Sequence, residues 1–136
     1  MKSTAKVTIR IASKSDEHTA LRTARGELTV RKDTVFLRYD EPDEEMGKTV
    51  TTVKVKSGQI TVIRHGDVES CQTFSAEKSE PGYYATPLGN LPLITKTRYI
   101  HNRLQNGLGT LKWSYDLFVS EQYAGQMELT LDIQEE

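Results

Sequence analysis

Alternation of apolar and polar residues at period two runs through this chain from one end to the other, and no other feature narrows its choice of fold so far. Val7, Ile9 and Ile11 alternate with Lys6, Thr8 and Arg10, and Leu28 and Val30 alternate with Glu27, Thr29 and Arg31. Lys32 and Asp33 suit a tight turn into Val35, Leu37 and Tyr39; Val53 and Val55 then share a face opposite Val50, before a hairpin turn at Ser57 and Gly58. Successive side chains of a strand point to opposite faces, so the pattern predicts strands with one buried face.

Further reversals are expected at Gly66 and Asp67, at Gly89 and Asn90, and at Asn106 and Gly107. Leu111, Trp113, Tyr115, Leu117 and Val119 form one face of a strand, and Met127, Leu129, Leu131 and Ile133 point inward from the last. Only residues 13–25 resist, because Ala20, Leu21 and Ala24 also fall on one helical face; we read a long strand broken by a bulge near Gly26. The total is about nine or ten strands. Antiparallel strands with one apolar face must stack two sheets or close one, and closure also removes exposed edges. The expectation is an all-β fold, a single closed antiparallel up-and-down β-barrel of about eight to ten strands. A sandwich is the alternative.

At 136 residues the chain has the length of one domain, taken here as residues 1–136. The net charge of −1, from 18 Lys+Arg against 19 Asp+Glu, leaves no electrostatic footprint for nucleic acid, so no such partner is expected. Cys71 is the single cysteine, which excludes an intrachain disulfide. No apolar run after "MKSTAKVTIRI" is long enough for a signal-peptide core or a membrane span, and we expect a cytoplasmic location without a membrane partner. CxxC, HExxH, P-loop, GxGxxG and nucleophile-elbow patterns are all absent. No catalytic residue, metal site or cofactor is assigned, and the balance is against an enzyme.

The segments "EEMGKTVTTVKVKSGQITVIRHGDV", "GYYATPLGNLPLITKTRYI" and "GTLKWSYDL" carry a resemblance. In their order and spacing, with Gly47-Lys48 opening a strand, Arg64 followed by Gly66, and the Tyr84, Thr86, Gly89 run, the chain resembles the YwiB-like family of small bacterial proteins of uncharacterised function. The resemblance spans nearly the whole chain and implies a calycin-like, or lipocalin-like, closed β-barrel. It implies no activity. The acidic stretch "DEPDEEMG" and the segment "SKSDEHTALRTAR" depart from the family pattern.

Arg64 is the most informative charge. It shares a strand face with Ile60 and Val62, and Gly66 turns the chain just after it, which places a permanent cation at one end of the barrel interior. One reading is an anchor for a ligand carboxylate or phosphate. The other is closure, with Arg64 lying over Trp113 or pairing with an acid; the calycin likeness favours that one, since calycins often seal an end with an Arg and Trp pair. Tyr84, Thr97, Tyr99, Trp113 and Tyr115 are the expected walls, on the assumption that Leu91, Leu93, Thr95, Thr97 and Tyr99 keep one face. Such a mixture of rings, aliphatics and hydroxyls suits a small-molecule pocket and an ordinary filled core equally. The acidic run from Asp40 to Glu45 lacks the spacing of a calcium loop and reads as solvated. His65 is expected at the surface, and Cys71 faces outward without a group to activate it.

The leading expectation is therefore a barrel that binds a small, partly apolar molecule, with Arg64 as polar anchor. The alternative is a non-catalytic interaction module with a filled core, acting through its rim or an exposed strand as a homodimer.

Overall fold

A computed structural model describes residues 2–136 of the chain, and side chains from residue 4 onward. Ten strands follow one another: β1 (Lys2–Lys14), β2 (Thr19–Arg31), β3 (Thr34–Asp40), β4 (Thr49–Lys56), β5 (Gln59–Gly66), β6 (Ser70–Ser75), β7 (Ser79–Thr86), β8 (Gly89–Gln105), β9 (Leu108–Val119) and β10 (Gln122–Glu135). Each pairs antiparallel with the next, and β1 pairs with β10, so the sheet closes into a barrel with no free edge. The all-β closed meander expected from the alternation is the observed architecture. Among the described residues no helix is long and apolar enough to cross a membrane.

Residues 13–25 are not one strand: Ser13 and Lys14 end β1, residues 15–18 form the β1–β2 turn, and β2 from Thr19 onward runs without a bulge at Gly26, paired in register to Val7 and to Tyr39. The expected bulge is corrected to a close approach. A Cβ on Gly26 would stand 2.4 Å from the Arg38 carbonyl oxygen and 3.0 Å from the Tyr39 Cβ, so the absent side chain is what lets the neighbouring strand pass. The bulges lie elsewhere, between Thr97 and Tyr99 on β8 and between Tyr123 and Gly125 on β10. Lys32, Ser57-Gly58 and Asn106-Gly107 take positive φ at hairpin turns, as their residue types favour. The reversal expected at Gly89 and Asn90 falls at Pro87 and Leu88 instead, with Gly89 already opening β8.

The interior is packed from the middle toward one end. Phe74, Trp113, Ile9, Leu37, Ile60 and Leu111 are almost completely buried, and the Phe74 ring meets Trp113 at 5.5 Å and Tyr115 at 4.6 Å between centroids. Burying each such side chain contributes about 1.5–3 kcal/mol, and the tilted ring contacts add about 0.5–1.5 kcal/mol. The rings of β9 therefore fill the barrel's middle. They do not fill its other end, where the β1–β2, β3–β4, β5–β6, β7–β8 and β9–β10 connections gather.

Candidate functional site

Over this end lies the long β3–β4 connection, built from the acidic stretch. It contains one 3-10 turn, Glu44–Met46, capped by the Asp43 carboxylate, which accepts from the Glu45 amide at 3.0 Å. The Thr49 hydroxyl donates to the Met46 carbonyl at 2.6 Å, and the Lys48 amide donates to Asp67 at 2.9 Å. Arg22 on β2 holds Asp43 at 3.7 Å. The stretch expected to be merely solvated is thus a fixed cover, pinned to β2, β4 and the β5–β6 connection.

Beneath it stands Arg64. Its Nε is 3.7 Å from Oε2 of Glu41, a carboxylate only 7% exposed that also accepts from the Thr51 hydroxyl at 2.6 Å. The contact is ionic: Arg64 Nε is buried and has no hydrogen-bond acceptor among the described residues. Arg64 therefore pairs with an acid, and a contact of Arg64 over Trp113 is not among the cation and ring contacts of the described residues. Glu41 escaped the sequence reading because it was grouped with its acidic neighbours. Yet it continues the inward positions Val35, Leu37 and Tyr39 by one more step of two, and that periodicity was the available signal.

Two phenols flank the guanidinium. Burial first, then the Glu41 charge, raises the Tyr39 pKa well above the usual phenol range, with Arg64 and Thr51 opposing. Burial likewise raises that of Tyr115, against the nearby Arg64 and Gln72. Both stay neutral at any physiological pH and serve as hydrogen-bonding walls.

Arg64 borders two neighbouring spaces. The outer is a cleft of about 510 Å³, walled by Tyr84, Leu91, Leu93, Tyr115, Leu117 and Val119, with Ser70 and Gln72 as its polar side. The inner is a chamber of about 120 Å³ between Tyr39, Glu41, Arg64, Trp113 and Leu131. Arg64, Asp43 and Met46 border both. A separate groove of about 390 Å³ on the outer wall lies among charged side chains such as Arg25, which is 87% exposed and pairs with Glu136 at 3.4 Å. Among the described residues no three His, Cys, Asp or Glu side chains converge as a metal site.

The expected anchor Arg64 and three of the expected wall residues, Tyr84, Trp113 and Tyr115, border the spaces at this end. Thr97 is buried but borders neither space, and its hydroxyl is without a partner among the described residues. Tyr99 is a correction. The bulge at Arg98 reverses the strand's parity, so Leu93, Thr95 and Thr97 face in, whereas Ile100 and Leu104 take over the inward positions. Tyr99 consequently stands on the outer wall, stacked on His101 at 4.4 Å and donating to Glu128 at 3.0 Å. The shift of apolar positions from odd to even numbers between Leu93 and Ile100 was its visible sign.

On the outer wall of β5 to β10, two adjacent cross-strand rows are apolar. Ile63, Cys71, Tyr83 and Pro92 form one; Pro81, Ile94, Phe118 and Tyr123 form the other. Ile63, Tyr83, Ile94 and Tyr123 are all exposed.

Residues 5–131 match a domain of unknown function, DUF1934. A curated protein of Bacillus subtilis (strain 168), described as an uncharacterized beta-barrel protein, YwiB, is 31% identical over 102 residues, 75% of this chain and 71% of that protein. The crystal structure of ywiB protein from Bacillus subtilis superposes with a TM-score of 0.67 at 25% identity, covering 96% of this chain and 92% of that one.

Proposed function

The chain belongs to the DUF1934 family, and from the geometry of the barrel's open end we propose that it binds a small, partly apolar molecule there. One observation carries the reading: the interior is divided, with Phe74 and Trp113 plugging its middle while the cleft beyond Arg64 keeps about 510 Å³ between mainly apolar walls. A few polar groups in an apolar concavity is the usual composition of a small-molecule site. On the meander order and the closed sheet we group the barrel with the calycin-like, lipocalin-like folds, and the single Cys71 supports a cytoplasmic location. The binding step needs no chemistry from the protein beyond shape and hydrogen bonds.

The test is native mass spectrometry on gently purified protein beside the denatured sample, with titration of the neutral dye N-phenyl-1-naphthylamine. An extra mass lost on denaturation, or saturable dye binding weakened by the cleft-filling variant Leu117→Trp, is the expected result. A clean apo mass together with no saturable dye binding would overturn the reading.

A second reading is favoured by the outer wall: the two apolar rows around Tyr83 and Ile94 form an exposed sheet face suited to a second copy of the chain. It makes the protein a homodimeric interaction module, and it is compatible with an occupied interior.

A further inference from the structure

Deepening the binding proposal, on which it rests, we infer that the ligand carries an uncharged hydrogen-bond acceptor, such as an amide or ketone carbonyl, placed in the inner chamber, and not a carboxylate or phosphate. Two side chains that border that chamber each carry a buried donor without an acceptor among the described residues: Trp113 at Nε1, on a side chain 1% exposed, and Arg64 at Nε. Neither group can accept, so only an acceptor satisfies them. Leaving such donors unpaired in a buried place costs about 1–3 kcal/mol each, which an acceptor oxygen recovers once a small adjustment of the Arg64 or Trp113 side chain turns the donor to it.

The charge of that oxygen is set by its surroundings. Arg64 is already opposed by Glu41 at 3.7 Å and Arg22 by Asp43 at 3.7 Å, so the chamber wall holds two cations and two anions. Glu41 is kept in place by the Thr51 hydroxyl and is not free to withdraw. A second carboxylate beside it would place two anions on one guanidinium where water is scarce, and Glu45 at the cleft adds to the repulsion. A carbonyl meets both donors without that cost. The chamber's 120 Å³ suits a small head group, and the adjoining cleft of about 510 Å³ suits an apolar body.

Matched probes test this, with Trp113 as the sole tryptophan and hence a single-residue reporter. Octanamide should shift Trp113 emission saturably at neutral pH and bind at least about tenfold more tightly than octanoate, the equivalent of one unfavourable charge contact. In Glu41→Gln, which retains the side chain's shape while freeing the Arg64 charge, octanoate should gain and the preference should shrink or reverse. Near-UV circular dichroism checks that this variant folds, and the wild-type comparison stands without it. Octanoate binding wild type as tightly as octanamide, or neither probe binding while N-phenyl-1-naphthylamine still does, overturns the inference and leaves the ligand-binding proposal intact. Loss of dye binding as well would sink both.

Discussion

The Arg64 guanidinium and the Glu41 carboxylate face each other at 3.7 Å across the open end of the barrel, in charge contact without a hydrogen bond through Nε. They come from different strands: Arg64 near the end of β5, and Glu41 one residue past the end of β3. Both follow inward parity, and both are largely shielded from water. A charge in that position is tolerated because the other is present.

Removing one partner should therefore be worse than removing both. Glu41→Ala is expected to lower unfolding free energy by about 3 kcal/mol, because it leaves a largely buried guanidinium uncompensated. The double variant Glu41→Leu/Arg64→Met should recover most of that loss. Urea denaturation of Glu41→Leu, Arg64→Met and the double variant checks it; strictly additive losses would show that the pair is not coupled.

Alkaline pH should destabilise the fold through Tyr39 and Tyr115, whose folded-state pKa values are raised by burial. In the unfolded chain these phenols ionise near about pH 10. Below that pH both states are protonated and the contribution is fully present. As pH rises beyond it, the unfolded chain releases protons that the folded chain retains, so stability falls at up to about 1.4 kcal/mol per pH unit for each phenol. Urea midpoints between neutral and alkaline pH should show this slope, reduced in Tyr39→Phe; an unchanged slope in that variant would remove Tyr39 from the account.

How much of this was legible in the residues depended on whether the period-two rule held locally. It held from Val7 to Ile11, from Val35 to Tyr39 and from Leu111 to Tyr115, and there the buried face follows directly from the sequence. One inserted residue, Arg98, breaks it on β8, and every position beyond changes sides, which is why Tyr99 left the interior. Arg64 was found because a cation among inward aliphatics is conspicuous. Glu41 was hidden among acids of the same type, and its pairing with Arg64 spans a loop whose path no local pattern encodes.

Tyr99 provides a direct check of that parity reversal. Its hydroxyl donates to Glu128 on the outer wall, so Tyr99→Phe should cost about 1 kcal/mol and leave dye and amide binding unchanged. Tyr115→Phe, inside the cleft, should alter binding. Titrating the dye into both variants separates the two faces; an equal effect on binding would place Tyr99 back in the wall.

Gly26→Ala should destabilise the barrel by about 1–3 kcal/mol, since the added methyl meets the Arg38 carbonyl oxygen at 2.4 Å, and this oxygen belongs to the backbone of a closed sheet. Thermal unfolding measures the loss. Gly58→Ala offers no steric contact but sits at φ +75°, so a smaller cost there separates crowding from backbone strain.

The outer apolar rows make the last prediction. Tyr83 and Ile94 lie on neighbouring strands, with Tyr83 paired to Pro92 and Ile94 to Phe118, so a twofold-related copy could bury both rows at once. A stable dimer buries about 800 Å² on each partner, more than these few half-exposed side chains supply, so association should be concentration-dependent. Sedimentation velocity across a range of protein concentrations should show a reversible dimer in the wild type and a monomer in Tyr83→Lys/Ile94→Lys. Because the substituted residues point away from the interior, dye binding should survive in that variant. A wild type that stays monomeric at every concentration would remove the homodimer reading.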